Sequence, residues 1–168
     1  DFLLGAGFFA ATGAIELPDP VVLHAPGCAG SPVVLGHGDA WCLADADYQR
    51  FRAQVRDAAW QAAFLARPLD ERLAIGAQMR AASREHQQTI GPGGYADVDA
   101  AAASACLGEA GAQVLVHGHT HRPGSGPLGP GRVRHVLTDW DLDHGGPARA
   151  EVLRWTASGF ARLRPGQA

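Results

Sequence analysis

Two short apolar runs, Val33-Val34-Leu35 and Val114-Leu115-Val116, each end on a histidine beside a glycine, and this repeated ending constrains the chain more than any other feature. Runs of three or four β-branched and leucine residues read as buried strands. The first continues into Gly36-His37-Gly38-Asp39, the second into His117-Gly118-His119-Thr120-His121-Arg122-Pro123. Ligands set at the carboxyl ends of neighbouring strands converge in the crevice where open α/β sheets bind substrates. In an extended continuation, residues two apart face one side, so His117 and His119 are expected to aim at one point, with His121 continuing the alternation. Gly118 lets the backbone approach closely, and imidazole is the commonest protein ligand for borderline metals. Asp39 is placed to accept a hydrogen bond from a ligand imidazole. A strand-end histidine such as His37 would on its own be an ordinary polar residue. Three alternating histidines point to metal, with Arg122 as a fixed cation beside them.

The rest of the chain is read around these endings. Its 168 residues, 46 % of them hydrophobic, suffice for one domain with a core. The net charge of -3 gives no reason to expect nucleic-acid binding. All fourteen basic residues are arginine, so any cationic phosphate contact within the chain must use one. The cysteines Cys28, Cys42 and Cys106 form no CxxC pair, which argues against a disulfide framework and for a reducing compartment. No stretch approaches the ~20 apolar residues that span a bilayer.

Leu3 to Thr12 reads as a short helix. Val21–His24 and Pro32–Leu35 read as strands joined by a Pro/Gly-rich loop. From Asp47 to about Glu85 the alanine- and arginine-rich composition predicts two or three helices, Pro68 opening one of them. Gly91–Gly94 reads as a loop, and Asp97 as the cap of a helix from Val98 to about Ala110. Pro123–Gly131 reads as a loop, followed by antiparallel strands at Val133–Leu137, Ala150–Thr156 and Phe160–Leu163. Helices interleaved with strands and closing on a run of strands suggest a layered α/β or α+β sandwich.

At these residues the sequence resembles the calcineurin-like metallophosphoesterases, whose pattern runs D-x-H, G-D-x-x-D, G-N-x-D, a strand-end histidine, then G-H-x-H. Asp1 matches the end of the third motif, His37 the fourth, and the register His117-Gly118-His119 the fifth. Within that family it is closer to the branch that cleaves the pyrophosphate of UDP-2,3-diacylglucosamine in lipid A biosynthesis. The resemblance is carried by Asp1-Phe2-Leu3-Leu4-Gly5, His37-Gly38-Asp39, Cys42, Asp45, Tyr48-Gln49, Phe51-Arg52, Trp60-Gln61, Phe64-Leu65, Met79-Arg80, Ser83, Asp97-Val98, His117–Pro123 and Asp139-Trp140. It implies a calcineurin-like β-sandwich flanked by helices, with a lipid-binding helical insertion at about 47–90. It makes His37, His117 and His119 ligands of a manganese pair, and Asp45, Ser83, Gln87 and His117 contacts to substrate. Three departures stand out. Ala44 replaces the first aspartate of a pair, Gln87 replaces an asparagine, and Ile90 falls near where a substrate-contacting lysine is expected. Four further ligands would lie before Asp1, so the resemblance implies the carboxy-terminal two-thirds of such a protein, nearly inactive by itself.

The implied chemistry is attack of a metal-held hydroxide on the α-phosphorus, releasing UMP and the lipid monophosphate, with His117 and Arg122 offsetting developing charge. The implied setting is the cytoplasmic face of the inner membrane, where the protein is peripheral. If Tyr48 to Arg67 is one helix, Tyr48, Phe51, Val55, Ala62 and Leu65 share a face, and Trp60 and Phe64 point away from it. That second face is expected to line an acyl chamber or touch the membrane, against the plainer alternative of packing on the next helix. Two other functions stay open: a metallophosphoesterase acting on another phosphoester or nucleotide, and a fragment that binds metal or lipid without catalysis.

Overall fold

A computed structural model describes residues 5–25, 32–90, 96–143 and 149–167, without the side chains of residues 86, 87 and 90. Asp1 and the Gly91–Gly94 loop therefore lie outside the described residues. The described part is mixed α/β, with five helices and a mixed sheet, and divides into two compact units. One lies within Asp1–Leu17 and Ala44–Ala96, the other within Pro18–Leu43 and Asp97–Ala168.

The second unit is built on the apolar runs. Strands β1 (Val21–Leu23), β2 (Val33–Gly36), β3 (Val114–His117), β4 (Gly124–Gly129) and β5 (Arg132–Val136) form one sheet in the order β1-β2-β3-β5-β4. β2, β3 and β5 run parallel, with Leu35 opposite Val116 and Val116 opposite His135. Central parallel strands are covered on both faces, which is why they read as unbroken apolar runs rather than alternating ones. Val33, Val34, Leu115 and Val116 are all buried accordingly. Helix α5 (Ala100–Glu109) contributes Ala103 and Leu107 to this core, both fully buried. Strands β6 (Val152–Thr156) and β7 (Gly159–Leu163) form a separate antiparallel pair.

Three expectations are corrected here. The segment Pro123–Gly131 contains a strand, β4, rather than a loop. β4 lies at the sheet edge and pairs only with β5, so Pro127 is tolerated where a central strand would need its N–H. β5 is not wholly antiparallel in its pairing, since it runs parallel to β3 and antiparallel only to β4. Asp97 does not cap α5. Asp99 does, its carboxylate accepting the Ala102 N–H at 2.7 Å, while Asp97 serves Arg134. A helix start offers several acidic residues to the same role, and composition alone cannot choose between neighbours two apart.

The first unit is helical: α1 (Ala6–Thr12), α2 (Ala46–Val55), α3 (Ala58–Leu65) and α4 (Leu69–Ile90). Tyr48 to Arg67 is not one helix. Arg56 ends α2, and Asp57 begins α3 by accepting the Trp60 N–H at 2.8 Å. Gln61 braces the corner by donating from its side-chain amide to the Val55 carbonyl at 2.9 Å. The single shared face expected for that stretch therefore does not exist. Pro68 stands just ahead of α4, where its lack of an N–H costs nothing, and its carbonyl accepts from Arg72.

Candidate functional site

The parallel register sets Gly36 beside His117, so the two histidine-bearing endings leave the sheet side by side. A backbone bond from the Gly118 N–H to the His37 carbonyl, at 3.0 Å, continues the pairing one step past the strands. Gly38 makes the crowding possible. Its φ of 114° is unfavourable for any residue with a side chain, and a Cβ there would stand 3.0 Å from His117 Nδ1 and 3.1 Å from the Gly118 carbonyl.

The extended alternation expected from His117 to His121 ends at His117. His119 and His121 take left-handed backbone conformations, with φ of 61° and 51°, which are costly for residues with a Cβ. His119 reaches His37 through this turn instead, and the two ring centres lie 4.9 Å apart. His121 turns outward, with Nδ1 3.4 Å from Asp139. His37 Nδ1 lies 3.3 Å from Asp39 Oδ1, and the His37 backbone N–H donates to Asp19 at 2.9 Å.

His117 is fully buried. Its Nδ1 stands 2.9 Å from the Gly118 carbonyl, which can only accept, so Nδ1 carries the proton. Nε2 is then a bare acceptor, buried and without a hydrogen-bond partner. Burial holds both His117 and His119 below the ordinary imidazole range, so both are neutral at pH 7. Neutral imidazole with one nitrogen tied to a carbonyl and the other bare is the state a metal requires. In chemistry these donors fit a divalent metal. In number they are incomplete, because among the described residues no three His, Cys, Asp or Glu side chains form a metal-holding group.

Arg122 is exposed and lies 3.7 Å from Asp97. Asp97 in turn receives two parallel bonds of 2.8 Å from Arg134 on β5, and this guanidinium, more than any other neighbour, holds the Asp97 carboxyl below its usual range. In the helical unit, the Asp45 carboxylate accepts the Tyr48 N–H at 2.9 Å as the cap of α2. Ser83 is exposed on α4, and the Gln87 side chain lies outside the described residues. Phe64 is buried, and Trp60 is half-buried and stacked on it at 5.3 Å.

Three features of the sheet unit carry no sequence signal. The Asp97–Arg134 pair joins residues 37 positions apart. Thr120 is buried with its hydroxyl unpartnered, although strict alternation would set it opposite its histidine neighbours. His135, given no role from sequence, is buried on β5 with Nδ1 2.7 Å from the Ser125 hydroxyl. Neither Cys42 nor Cys106 is in a disulfide, and the Cys42 thiol donates to the Gly38 carbonyl at 3.5 Å.

Comparison with known proteins places this arrangement in a family. No protein-family model matches the sequence. The chain is 46 % identical over 156 residues to UDP-2,3-diacylglucosamine hydrolase of Bordetella pertussis, covering 91 % of the chain and 59 % of that relative. It is 46 % identical over 146 residues to the protein of that name from Chromobacterium violaceum, covering 87 % of the chain and 60 % of the relative. With the one from Stenotrophomonas maltophilia strain R551-3 it shares 39 % over 171 residues, 96 % of the chain and 67 % of the relative. The chain belongs to the UDP-2,3-diacylglucosamine hydrolase family, and spans about three-fifths of the length of the first two relatives.

Proposed function

We propose that the chain is part of a hydrolase that cleaves the pyrophosphate bond of UDP-2,3-diacylglucosamine, giving UMP and 2,3-diacylglucosamine 1-phosphate, within a calcineurin-like metallophosphoesterase fold. The observation that carries the reading is His117, whose bare Nε2 is buried without a partner in a chain whose relatives bear that hydrolase name. His37, His117 and His119 are the residues that would hold a manganese pair, together with ligands from elsewhere in the full-length protein. Bound there, two divalent ions would supply Lewis acidity to the phosphoryl oxygens and activate water.

The protein's own side chains have separable tasks in this reading. The Gly118 carbonyl fixes the His117 tautomer, so the ligand nitrogen never competes for a proton at neutral pH. Arg122 offsets negative charge that grows on the phosphoryl group, drawn toward the substrate from its 3.7 Å approach to Asp97. The helical unit takes the lipid half. Asp45, Ser83 and Gln87 contact the substrate, and Trp60 and Phe64 meet its acyl chains. Both the substrate and the arginine-rich helices suit a protein peripheral on the cytoplasmic face of the inner membrane. Among the described residues no helix is long and apolar enough to cross a membrane.

The test is UMP release from UDP-2,3-diacylglucosamine with added manganese, by the chain itself and by a version extended to its relatives' full length. Release by the extended protein that falls at least about 100-fold in His117→Ala is the expected result. Folded, metal-bound protein that releases no UMP at either length would sink the reading and point to another phosphoester.

A further inference from the structure

The six residues 118–123, which carry two of the three motif histidines, have to cross a strand. They leave β3 at His117 and enter β4 at Gly124, and in the sheet order β5 lies between those two strands. At the crossing His117, Val136 and Gly124 stand in one row, since Val136 is the register partner of both the others. Two strand spacings amount to about 10 Å, whereas six extended residues reach roughly 20 Å. The turn therefore has slack, and its length does not oblige His119 and His121 to hold their left-handed conformations. A costly backbone shape of this kind persists only where the surroundings fix it, so both ends of the turn matter.

The near end is held by the Leu137 N–H, which donates to the His117 carbonyl at 2.7 Å. The far end is the weaker one. β4 is an edge strand of three glycines, a serine, a proline and a leucine, and its register shifts between Pro127 and Gly129. Glycine and proline make a poor strand, with little side chain to pack. Arg162, on β7, supplies what β4 lacks. Its Nη2 donates to the Val136 carbonyl at 2.6 Å and also to the Gly124 carbonyl, so one nitrogen joins the two partners of that rung. Nε donates to the Ser125 hydroxyl at 3.3 Å, and Nη1 to Glu151 at 3.2 Å. Glu151 is fixed in turn by the Thr138 hydroxyl at 2.8 Å. All three guanidinium nitrogens are engaged, and the side chain is only 21 % exposed. A planar fork used up in this way holds the backbone rather than a ligand.

We infer that Arg162 is a positioning residue for the histidine turn. By stapling Gly124 to Val136 it fixes the far end of residues 118–123, and with it the approach of His119 to His37. Its bearing on metal binding rests on the hydrolase reading, whereas the staple itself does not.

The test compares Arg162→Met with Phe160→Leu, first in the chain without metal. Phe160 lies on the same strand, its ring 4.6 Å from that of His135 and 5.6 Å from that of Trp155, so its truncation disturbs the same hairpin but leaves the arginine. The backbone carbon-13 NMR shifts of His119 and His121 report left-handed backbone. They are expected to move toward extended values in Arg162→Met and to stay at parent values in Phe160→Leu. In the version extended to its relatives' full length, manganese affinity should fall about tenfold in Arg162→Met and less than about twofold in Phe160→Leu, as for lost support of a metal-binding histidine. Should Arg162→Met fail to fold, Arg162→Gln, which keeps a polar group beside the rung, carries the same expectation. Unchanged shifts in the arginine variant overturn the inference. Shifts that move as far in Phe160→Leu also overturn it, because the docked hairpin as a whole would then set the turn. An extended parent that binds no manganese would sink the metal reading, with the metal-free shifts still deciding the staple. Hydrolysis by the extended parent beside unchanged shifts in Arg162→Met would do the reverse.

Discussion

The two units invest their apolar residues differently. The sheet unit buries Val33, Val34, Leu107, Leu115 and Val136 almost completely, on strands and a helix drawn from distant parts of the chain. The helical unit buries Val55 and Phe64, yet leaves Leu69, Leu73, Phe8, Ile15 and Leu17 largely exposed. Its helices are held by local devices: the Asp45 and Asp57 caps and the Gln61 brace. Caps and braces are worth about 1 kcal/mol each, whereas a buried leucine is worth several times that. A sheet unit of this kind is set by its packing. The helical unit buries fewer of its apolar residues, although the sheet unit too leaves Leu43, Trp140 and Leu142 exposed.

The sharpest way to break the contrast is Leu115→Ala, which removes a fully buried side chain from the central strand. It should cost about 3 kcal/mol in denaturant unfolding. A loss under about 1 kcal/mol would mean that the sheet core does not carry the stability assigned to it.

Next in size is Asp97→Asn, expected to cost about 2 kcal/mol, because two charge-assisted bonds from Arg134 lose their charge. The folded carboxyl titrates below the usual aspartate value of 3.8. Its contribution is therefore complete above that value and disappears as pH falls through the lower, folded one. Unfolding curves below pH 4 should be flatter in the variant than in the parent. Parallel curves would show that Asp97 adds nothing to the acid response.

Asp57→Ala should cost about 1 kcal/mol and appear as lost helix signal in the far-ultraviolet circular dichroism. Leu73→Gln, on the exposed side of α4, should stay within about 0.5 kcal/mol of the parent. If Leu73→Gln instead matches Leu115→Ala, the contrast between the units is void. Trp60→Ser with Phe64→Ser tests its functional side. Under the hydrolase reading, it should harm turnover of the diacyl substrate more than of a short-chain analogue, and equal losses would remove the acyl role.

What could be read from sequence follows from how local each determinant is. The strands β2 and β3 were legible because burial on both faces forces an unbroken apolar run, and α2 to α4 because alanine and arginine with few turn residues leave little else. β4 was hidden by its own composition, since an edge strand admits the glycines and proline that signal a loop. The helix break at Asp57 was equally hidden, because a cap and an interior aspartate look alike until the following N–H groups are located. At the site, the histidines announced themselves by their glycines. Their geometry did not, because two left-handed residues, His119 and His121, replaced the extended run that alternation assumes. Thr120 and the Asp97–Arg134 pair depend on contacts that only the folded chain makes.

The parallel pairing of β2 with β3 also has a consequence in time. Gly36 meets His117, and 117 − 36 places these partners 81 positions apart in the order of synthesis. At about 5–20 residues per second, a ribosome needs roughly 4–16 seconds to supply the second partner after the first. Throughout that interval β2 can pair only with β1, and its other edge, rich in valine, has no native neighbour. A nascent chain in that condition is a natural client for a chaperone that shields apolar strand edges, and a slower host would lengthen its exposure.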